Sequence, residues 1–388
     1  MSKIEFALCG GYKDDEQLNP YAVTRPEIRQ EILSLINREH STPENIAETL
    51  ALSKEAVSRH LESLGKAGLV ERTGPLWKPS FAIFTERDQE ELEPLLEHMA
   101  DSYVGEVRDS MGIVHKTYEA CRFAEHGFST ADLDYILVGA YVLDFGGLAL
   151  DRAGLLLPEK EMPGGAYVFT GFEGQIRNLR ASWMWGHTAE YGPFIFIGHG
   201  ELPSGGPRRA FPEQAYIWRR EGRSAEEVAR AMEELGAILV ELYATPMLLR
   251  EIASRTGITP ERLADHLQLL HELEYIDHSD AATSVCPVVD EVSKARIQEL
   301  VRIVWDRLLS TAVTPNWSHL ERLYQGTAPA RNGIDIREAF NPIHHAIFER
   351  ALRKLMESGV LAWPRRHTDG ARYAVWIEHR REGEASEA

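Results

Sequence analysis

Residues 46–71 read IAETLALSKEAVSRHLESLGKAGLVE, and residues 252–277 read IASRTGITPERLADHLQLLHELEYID. The two stretches align without a gap, at an offset of 206 positions. They share the spacing of their apolar residues and the position of the turn, which are the features that a common fold preserves. The matched apolar pairs include Val57 with Leu263, Leu61 with Leu267 and Leu64 with Leu270. We therefore predict a repeated unit made of a helix, a turn, a second helix and a strand.

The composition is that of an ordinary globular protein, but the charge is strongly negative. The chain has 388 residues, is 44% hydrophobic and carries a formal net charge of -18. This length allows roughly two to four domains. The charge argues against nonspecific coating of DNA, although a sequence-specific reader can carry a local basic surface.

The sequence also bears on the compartment of the protein. No run of about 18 apolar residues is present, so we expect no membrane span. The N-terminal residues do not read as a secretory signal. Cys9, Cys121 and Cys286 are far apart in sequence and predict neither a disulfide framework nor a metal-binding pair. A reducing cytoplasm is therefore expected.

The first copy reads as a winged helix-turn-helix over residues 20–88. Residues 24–27 place a threonine cap, an early proline and a glutamate in the order that starts a helix. Ser53 is positioned to cap the third helix, and Gly68 ends it where a left-handed residue is favoured. The predicted wing hairpin has a first strand at 69–71, a turn at 73–75 and a returning strand at 81–84.

The stretch SKEAVSRHLESLGKAGLVE, residues 53–71, resembles the winged helix-turn-helix of ArsR-like and MarR-like transcriptional regulators. The resemblance extends over residues 24–88, and it implies that the third helix of this module reads double-stranded DNA. The cysteine-containing metal box of that family is absent from the third helix. No metal and no other cofactor is therefore expected.

The outward side of the third helix carries polar groups suited to base edges or phosphates. The candidate DNA-binding residues of this module are Ser53, Lys54, Ser58, Arg59, Arg72 and Lys78, the last two flanking the wing. Residues 41–80 contain five Lys or Arg and five Asp or Glu. Because the module is neutral rather than basic, the alternative of solvated side chains on an ordinary helix stays open.

The second copy is predicted over residues 224–312, which include the helix that follows it. It has the same apolar spacing as the first copy but a different charge. Asp265 stands at the position of Arg59, and Glu272 stands at the position of Lys66. Counted over 244–291, three Lys or Arg face nine Asp or Glu. Because such a surface repels phosphate, we predict that this module packs against protein.

A weaker third copy is predicted over residues 313–380, with one residue inserted in its turn. A hairpin would join 360–363 to 372–377 through the turn at 368–370. Residues 348–380 contain seven Lys or Arg and four Asp or Glu. The candidate DNA contacts in this copy are Arg353, Lys354, Arg365, Arg366 and Arg372. A solvated hairpin at a domain rim is the alternative.

Residues 89–126 form a predicted helical linker between the first module and the centre of the chain. Their apolar residues are spaced by three and four, which is the pattern of one helical face. Winged regulators usually dimerise through such helices, so a homodimer is expected. Pairing of the two repeats inside one chain, as a pseudo-dimer, explains the same pattern and stays open.

Residues 127–222 have no counterpart in the repeats and are predicted to form a central α+β domain. An aromatic cavity with a few polar groups is a usual small-molecule site. The candidate residues for binding a small-molecule effector are Trp183, Trp185, His187, Tyr191 and His199. An aromatic core with exposed histidines is the alternative, and no metal site is expected.

These features together predict an α+β, mostly α fold with two or three winged helix-turn-helix domains. The expected function is that of a cytoplasmic, DNA-binding transcriptional regulator with a candidate effector site. The alternative is a winged-helix scaffold that binds protein and no DNA. Because no Walker loop, Gly-x-Ser-x-Gly elbow or His-Glu-x-x-His motif is present, we expect no enzyme.

Overall fold

The structure is a computed structural model that describes residues 3–13, 15–174, 184–201, 210–278, 281–368 and 370–380. It divides into two compact units, each assembled from three stretches of chain. The first unit contains Met1–Gly105, Gly147–Ser182 and Asp306–Ala351, and the second contains Glu106–Gly146, Trp183–Trp305 and Leu352–Ala388. The predicted central domain of residues 127–222 is divided between the two units, because its strands pair with strands far away in sequence.

The predicted α+β, mostly helical class is confirmed, since the protein is α+β and 59% helical. The helices, in chain order, are α1 (Pro20–Thr24), α2 (Glu27–Arg38), α3 (Pro43–Leu50), α4 (Lys54–Lys66), α5 (Glu86–Ala120), α6 (Thr130–Asp134), α7 (Leu148–Arg152), α8 (Phe211–Arg220), α9 (Ala225–Ala244), α10 (Leu249–Thr256), α11 (Pro260–Glu272), α12 (Glu291–Leu308), α13 (Thr314–Tyr324), α14 (Ala328–Arg331) and α15 (Ile336–Glu357). The strands are β1 (Ile4–Tyr12), β2 (Val70–Thr73), β3 (Leu76–Pro79), β4 (Ala82–Phe84), β5 (Lys160–Met162), β6 (Gly165–Glu173), β7 (Met184–Tyr191), β8 (Phe194–Glu201), β9 (Ile276–His278), β10 (Ala282–Ser284), β11 (Val288–Asp290) and β12 (Tyr373–His379).

In the first unit, helices α1 to α4 pack with a sheet of order β1-β6-β4. Strand β1 runs antiparallel to β6, with Ile4 opposite Glu173, and β4 runs parallel to β6, with Ala82 opposite Thr170. The short strand β5 also pairs with β6. The core that joins the helices to the sheet includes Ile32, Val57, Leu61, Tyr167 and Phe169.

The wing of the first unit is a hairpin of β2 and β3, with Thr73 opposite Leu76. Its turn lies where the sequence predicts it, and Gly74 adopts a left-handed φ of 63° there. The predicted returning strand at 81–84 is wrong, because β3 returns instead. All three residues of β4 are buried, and an entirely apolar strand suits a position that is covered on both faces.

The second unit has a four-stranded sheet of order β11-β12-β8-β7. Strand β12 pairs in parallel with β11, where Val288 lies opposite Ile377, and antiparallel with β8. Helices α8 and α9 contact this sheet, α10 packs against α9 and α11, and the hairpin of β9 and β10 follows α11. The core includes Phe196, Leu239, Leu263, Leu267 and Ile377.

The predicted third helix-turn-helix is wrong, because residues 336–357 form the single helix α15. Phe340, Ile343, Ile347 and Ala351 are fully buried, and their spacing continues one helical face through the predicted turn. Of the predicted hairpin, only the second strand exists, as β12, with a single bridge between Arg366 and Arg372 before it. Asp369, in the predicted turn, lies outside the described residues.

One helical segment of the described chain, Thr130–Arg152, is long and apolar enough to cross a membrane by length and composition. The segment comprises α6, a π-helix at Tyr135–Asp144 and α7, with a short 3₁₀ turn between the last two. Within it, 83% of the most apolar window is buried inside the protein. This burial is what a core helix shows.

Candidate nucleic-acid interface

Helices α3 and α4 meet at a sharp turn whose geometry is set by local signals. Thr42 caps α3 by accepting a hydrogen bond from the backbone N–H of Asn45 at 3.3 Å. Ala51 ends α3 in the left-handed region, with φ 53°. Ser53 caps α4 through its Oγ, which accepts from the backbone N–H of Ala56 at 3.1 Å. The capping of the third helix is therefore confirmed.

Helix α4 is anchored by one face and presents the other to solvent. Val57, Leu61 and Leu64 are each 0% exposed. On the outward side, Lys54 and Arg59 are exposed. The helix is therefore held in a fixed orientation while its polar side stays accessible to a partner.

The polar residues predicted on α4 differ in what they contact. The Oγ of Ser53 is engaged as a cap, and Ser58 is half-buried. The Nζ of Lys54 forms an ion pair with the carboxylate of Glu44 on α3. The Nε of Arg59 donates to the backbone oxygen of Glu55 at 3.4 Å. Lys54 and Arg59 are therefore the cations of the predicted set that α4 offers to a ligand.

The two cations predicted beside the wing behave differently from each other. Arg72 is exposed, and its Nε donates to the backbone oxygen of Gly74 at 2.6 Å across the turn. The Nζ of Lys78 lies 2.9 Å from the carboxylate of Glu71 and donates to the backbone oxygen of Asn332 at 2.7 Å. With 18% of its side chain exposed, Lys78 is engaged within the first unit rather than projecting from the wing.

The five basic residues predicted near the C-terminus all belong to the second unit. Arg353 is exposed and Lys354 is half-buried on α15. The guanidinium of Arg365 lies 3.4 Å from the carboxylate of Glu274. The Nε of Arg366 donates to the backbone oxygen of Gly370 at 3.2 Å, and the guanidinium of Arg372 lies 4.9 Å from the centre of the Trp363 ring. These last three arginines take part in contacts of their own segment.

Among the described effector candidates, His187 and His199 do not line a common cavity. His187 and His199 lie on paired strands, with His187 opposite Gly198, so the alternation of side chains sends the two rings to opposite faces. His187 is exposed and His199 is fully buried. Trp183 lies outside the described residues, as does the side chain of Trp185.

Each of the described effector candidates has a polar partner. The Nδ1 of His187 lies 3.1 Å from the carboxylate of Glu213, and the hydroxyl of Tyr191 accepts from Arg219 at 3.1 Å. The ring of His199 is held between the hydroxyl of Tyr135, at 2.9 Å, and the carboxylate of Asp144, at 3.1 Å. Sequence reasoning missed both of the last two partners, because they lie on the apolar π-helix. Among the described residues, no group of three or more His, Cys, Asp or Glu is placed to hold a metal ion.

Residues 26–72 match the family model described as bacterial regulatory protein, arsR family. The match begins just before α2 and ends within β2, so it contains both helices of the turn and the start of the wing. The predicted ArsR-like winged helix-turn-helix is thereby confirmed for this region. No curated protein and no solved structure matches the chain.

The match to this family model indicates a DNA-binding transcriptional regulator whose partner is double-stranded DNA. The ArsR-like domain is a small part of the chain, since the match covers residues 26–72 of 388. The match therefore assigns a fold and a function to the first module. It does not assign a role to the other elements.

Proposed function

We propose that this protein is a cytoplasmic, non-enzymatic transcriptional regulator that inserts α4 of its ArsR-like domain into the major groove of DNA. The observation that carries the proposal is the orientation of α4. Its apolar face is fully buried at Val57, Leu61 and Leu64, while Lys54 keeps 57% of its side chain exposed. Recognition helices of this motif contact base edges with their N-terminal half, which is where Lys54 and Arg59 lie.

We further propose that the second unit contains a second winged module made of α9, α10, α11, β9 and β10. The two modules have left-handed backbone conformations at matching positions, 206 residues apart, which supports their equivalence. Ala51 and Gly257 have φ 53° and 70°, and Gly68 and Glu274 have φ 75° and 63°. The strand after each wing, β4 or β11, runs parallel to a neighbouring strand of its own sheet.

The second module is proposed to serve assembly rather than DNA binding. Glu261, Asp265 and Glu272 are exposed on α11, where they oppose the approach of phosphate. Arg262, the one cation of α11 other than histidine, lies 2.6 Å from the carboxylate of Glu234. That carboxylate also lies 2.6 Å from the ring of His266. The cation is therefore neutralised within its own unit.

A binding measurement with a matched pair of variants tests which module reads DNA. Fluorescence anisotropy with duplex from around the protein's own gene is measured for the native chain, Arg59→Ala and Arg255→Ala. Both variants lose one positive charge, but Arg255 lies on α10 beside Glu241, at 3.0 Å. Arg59→Ala is expected to cost about 1–3 kcal/mol of specific binding, whereas Arg255→Ala leaves the affinity unchanged. Equal effects of the two variants contradict the assignment of α4.

The second candidate function is a winged-helix scaffold that binds protein, which the net charge of -18 favours. Specific binding that weakens steeply with salt supports the regulator. Absence of binding to any duplex from around its own gene supports the scaffold.

A measurement of the native mass tests the oligomeric state. The native mass decides between a homodimer, at twice 43.8 kDa, and a single chain that pairs its own two modules. Response to an effector remains part of the proposal, and a thermal-shift screen with small molecules tests it.

A further inference from the structure

A cavity of about 300 Å³ adjoins the recognition helix of the ArsR-like domain. Its lining residues are Glu16, Gln17, Arg29, Arg59, Glu62, Ser63 and Lys66. Four of the seven lie on α4, spaced by three and four residues along one face, one lies on α2, and two lie in the segment before α1. The cavity is thus formed by three elements of the first unit, of which α2 and α4 share one hydrophobic core.

The cavity is positively charged within an acidic protein. Arg29, Arg59 and Lys66 contribute three positive charges, and two carboxylates leave a net charge of +1 among the lining residues. The charge also affects the imidazole of His60, which lies on α4. Burial, and then the guanidinium groups of Arg29 and Arg59, lower the pKa of His60. Positive charge therefore exceeds negative charge among the residues that line the cavity beside α4.

Arg29 is held in place before a ligand binds. Its Nη1 donates to the backbone oxygen of Val23 at 2.8 Å, which fixes one arm of the guanidinium fork. Its Nε is buried and hydrogen-bonds to no group of the described residues. Burial lowers the pKa of Arg29. A planar fork fixed in this way suits an oxyanion, which accepts several N–H groups at once.

We propose that this cavity binds the oxygens of a phosphate group, with Arg29, Arg59 and Lys66 as its cationic ligands. One source of the phosphate is the backbone of the duplex, in which case the inference rests on the proposed function and adds Arg29 of α2 to the interface. The other source is a free phosphate that occupies the same cations. Because Arg59 lines the cavity and is also a proposed DNA contact of α4, a free anion in the cavity competes with DNA for its side chain.

The duplex arm of the test measures affinity against salt concentration. The native chain is compared with Arg29→Gln and with Arg25→Gln, a control that removes an exposed arginine outside the cavity lining. The slope of log Kobs against log salt falls by about 0.9 for each DNA phosphate that the protein no longer neutralises. Arg29→Gln is expected to reduce the slope by about one and to weaken binding to all duplexes equally, whereas Arg25→Gln leaves the slope unchanged.

The free-anion arm uses inorganic phosphate alone. Calorimetric titration at constant ionic strength compares the native chain with Arg29→Gln, and phosphate is then added to the protein–duplex complex. Saturable heat that Arg29→Gln abolishes, together with displacement of duplex, identifies a free anion as the ligand. Saturable heat without displacement still supports the cavity, but not the competition.

A second variant is needed because Arg29 donates a hydrogen bond to the backbone oxygen of Val23, so that Arg29→Gln can also affect folding. Lys66 is exposed at the end of α4, so Lys66→Gln keeps the core intact and is expected to reduce the slope or the phosphate heat in the same way. If the native chain binds duplex, but neither variant changes the slope and phosphate gives no heat, the cavity proposal is overturned and the proposed function stands. If the chain binds no duplex and phosphate heat depends on Arg29, the cavity stands and the proposed function fails.

Discussion

Lys54 and Glu44 form an ion pair across the turn between α3 and α4 of the ArsR-like domain. Their hydrogen bond lowers the pKa of Glu44 and raises the pKa of Lys54, so both groups are charged at neutral pH. Both side chains are more than half exposed, and exposed pairs contribute little to stability. The pair therefore bears on the proposed DNA contact of α4, because the carboxylate partly neutralises Lys54.

Replacing Glu44 by Gln is expected to strengthen DNA binding. The variant frees Lys54 for phosphate and removes a negative charge from the proposed interface, so the affinity at low salt should rise roughly two- to fivefold. Anisotropy at two salt concentrations measures the effect. Glu48→Gln, which removes another exposed carboxylate of α3, serves as the control. Equal gains from both variants would attribute the effect to net charge alone and not to the pair.

Ser53 is expected to act as a helix cap rather than as a DNA contact. Ser53→Ala removes the acceptor for the N–H of Ala56 and should cost about 1 kcal/mol of unfolding free energy. Ser53→Asn keeps a capping oxygen without a hydroxyl and should restore most of that stability. Urea denaturation measures both variants. If Ser53→Asn recovers stability but loses specific DNA affinity, the hydroxyl itself contacts the duplex.

The helix-turn-helix could be predicted from sequence because its signals are local. Caps, a left-handed turn residue and an apolar spacing of three and four all lie within residues 42–68, and no distant partner is needed to interpret them. The prediction of Ser53 as a cap is confirmed for that reason, and the apolar residues Val57, Leu61 and Leu64 that define the spacing are buried.

Strand pairing could not be predicted in the same way. Strand β4 has three residues, and its partner β6 follows about 80 positions later in the sequence. Nothing near Ala82 distinguishes a wing strand from the edge of a sheet. The error at α15 has a related cause, because Pro342 resembles the proline that starts a new helix, yet the buried face continues past it.

The cavity beside α4 could not be predicted from the sequence either. Arg29 reads as one more polar residue of an amphipathic helix, and only the packing of α2 and the segment before α1 places it next to Arg59 and Lys66. The placement of the effector candidates was not predictable either, since proximity in sequence does not put His187 and His199 on the same face of a sheet.

Leu61→Ala is expected to destabilise the first unit strongly. Leu61 is 0% exposed in the core that joins α4 to the other helices and to the sheet. Loss of its buried methyl groups and the resulting cavity should cost about 2–5 kcal/mol of unfolding free energy. Denaturant unfolding measures this cost, and Glu62→Ala, at the exposed neighbouring position, is the control. A cost below about 1 kcal/mol would mean that this core is not packed as described.

The protonation of His60 is expected to depend on the charges that line the cavity. The folded pKa of His60 lies below its usual value, because burial and the charges of Arg29 and Arg59 disfavour the imidazolium. Between the folded pKa and the unfolded pKa of about 6.5, the unfolded chain binds more protons. The stability that His60 contributes is therefore fully present above pH 6.5 and is lost as the pH falls through the folded pKa.

Arg59→Gln removes one of those charges and should raise the pKa of His60. Proton NMR titration of the imidazole signal, assigned with His60→Gln, measures it. Arg72→Gln, which removes an exposed arginine from the wing, should leave it unchanged. A phosphate bound in the cavity neutralises the same guanidinium groups, so saturation with duplex or inorganic phosphate should raise the pKa of His60 in the native chain. A native pKa at or above the usual value, or equal shifts from both arginine variants, would show that no such positive potential exists beside α4.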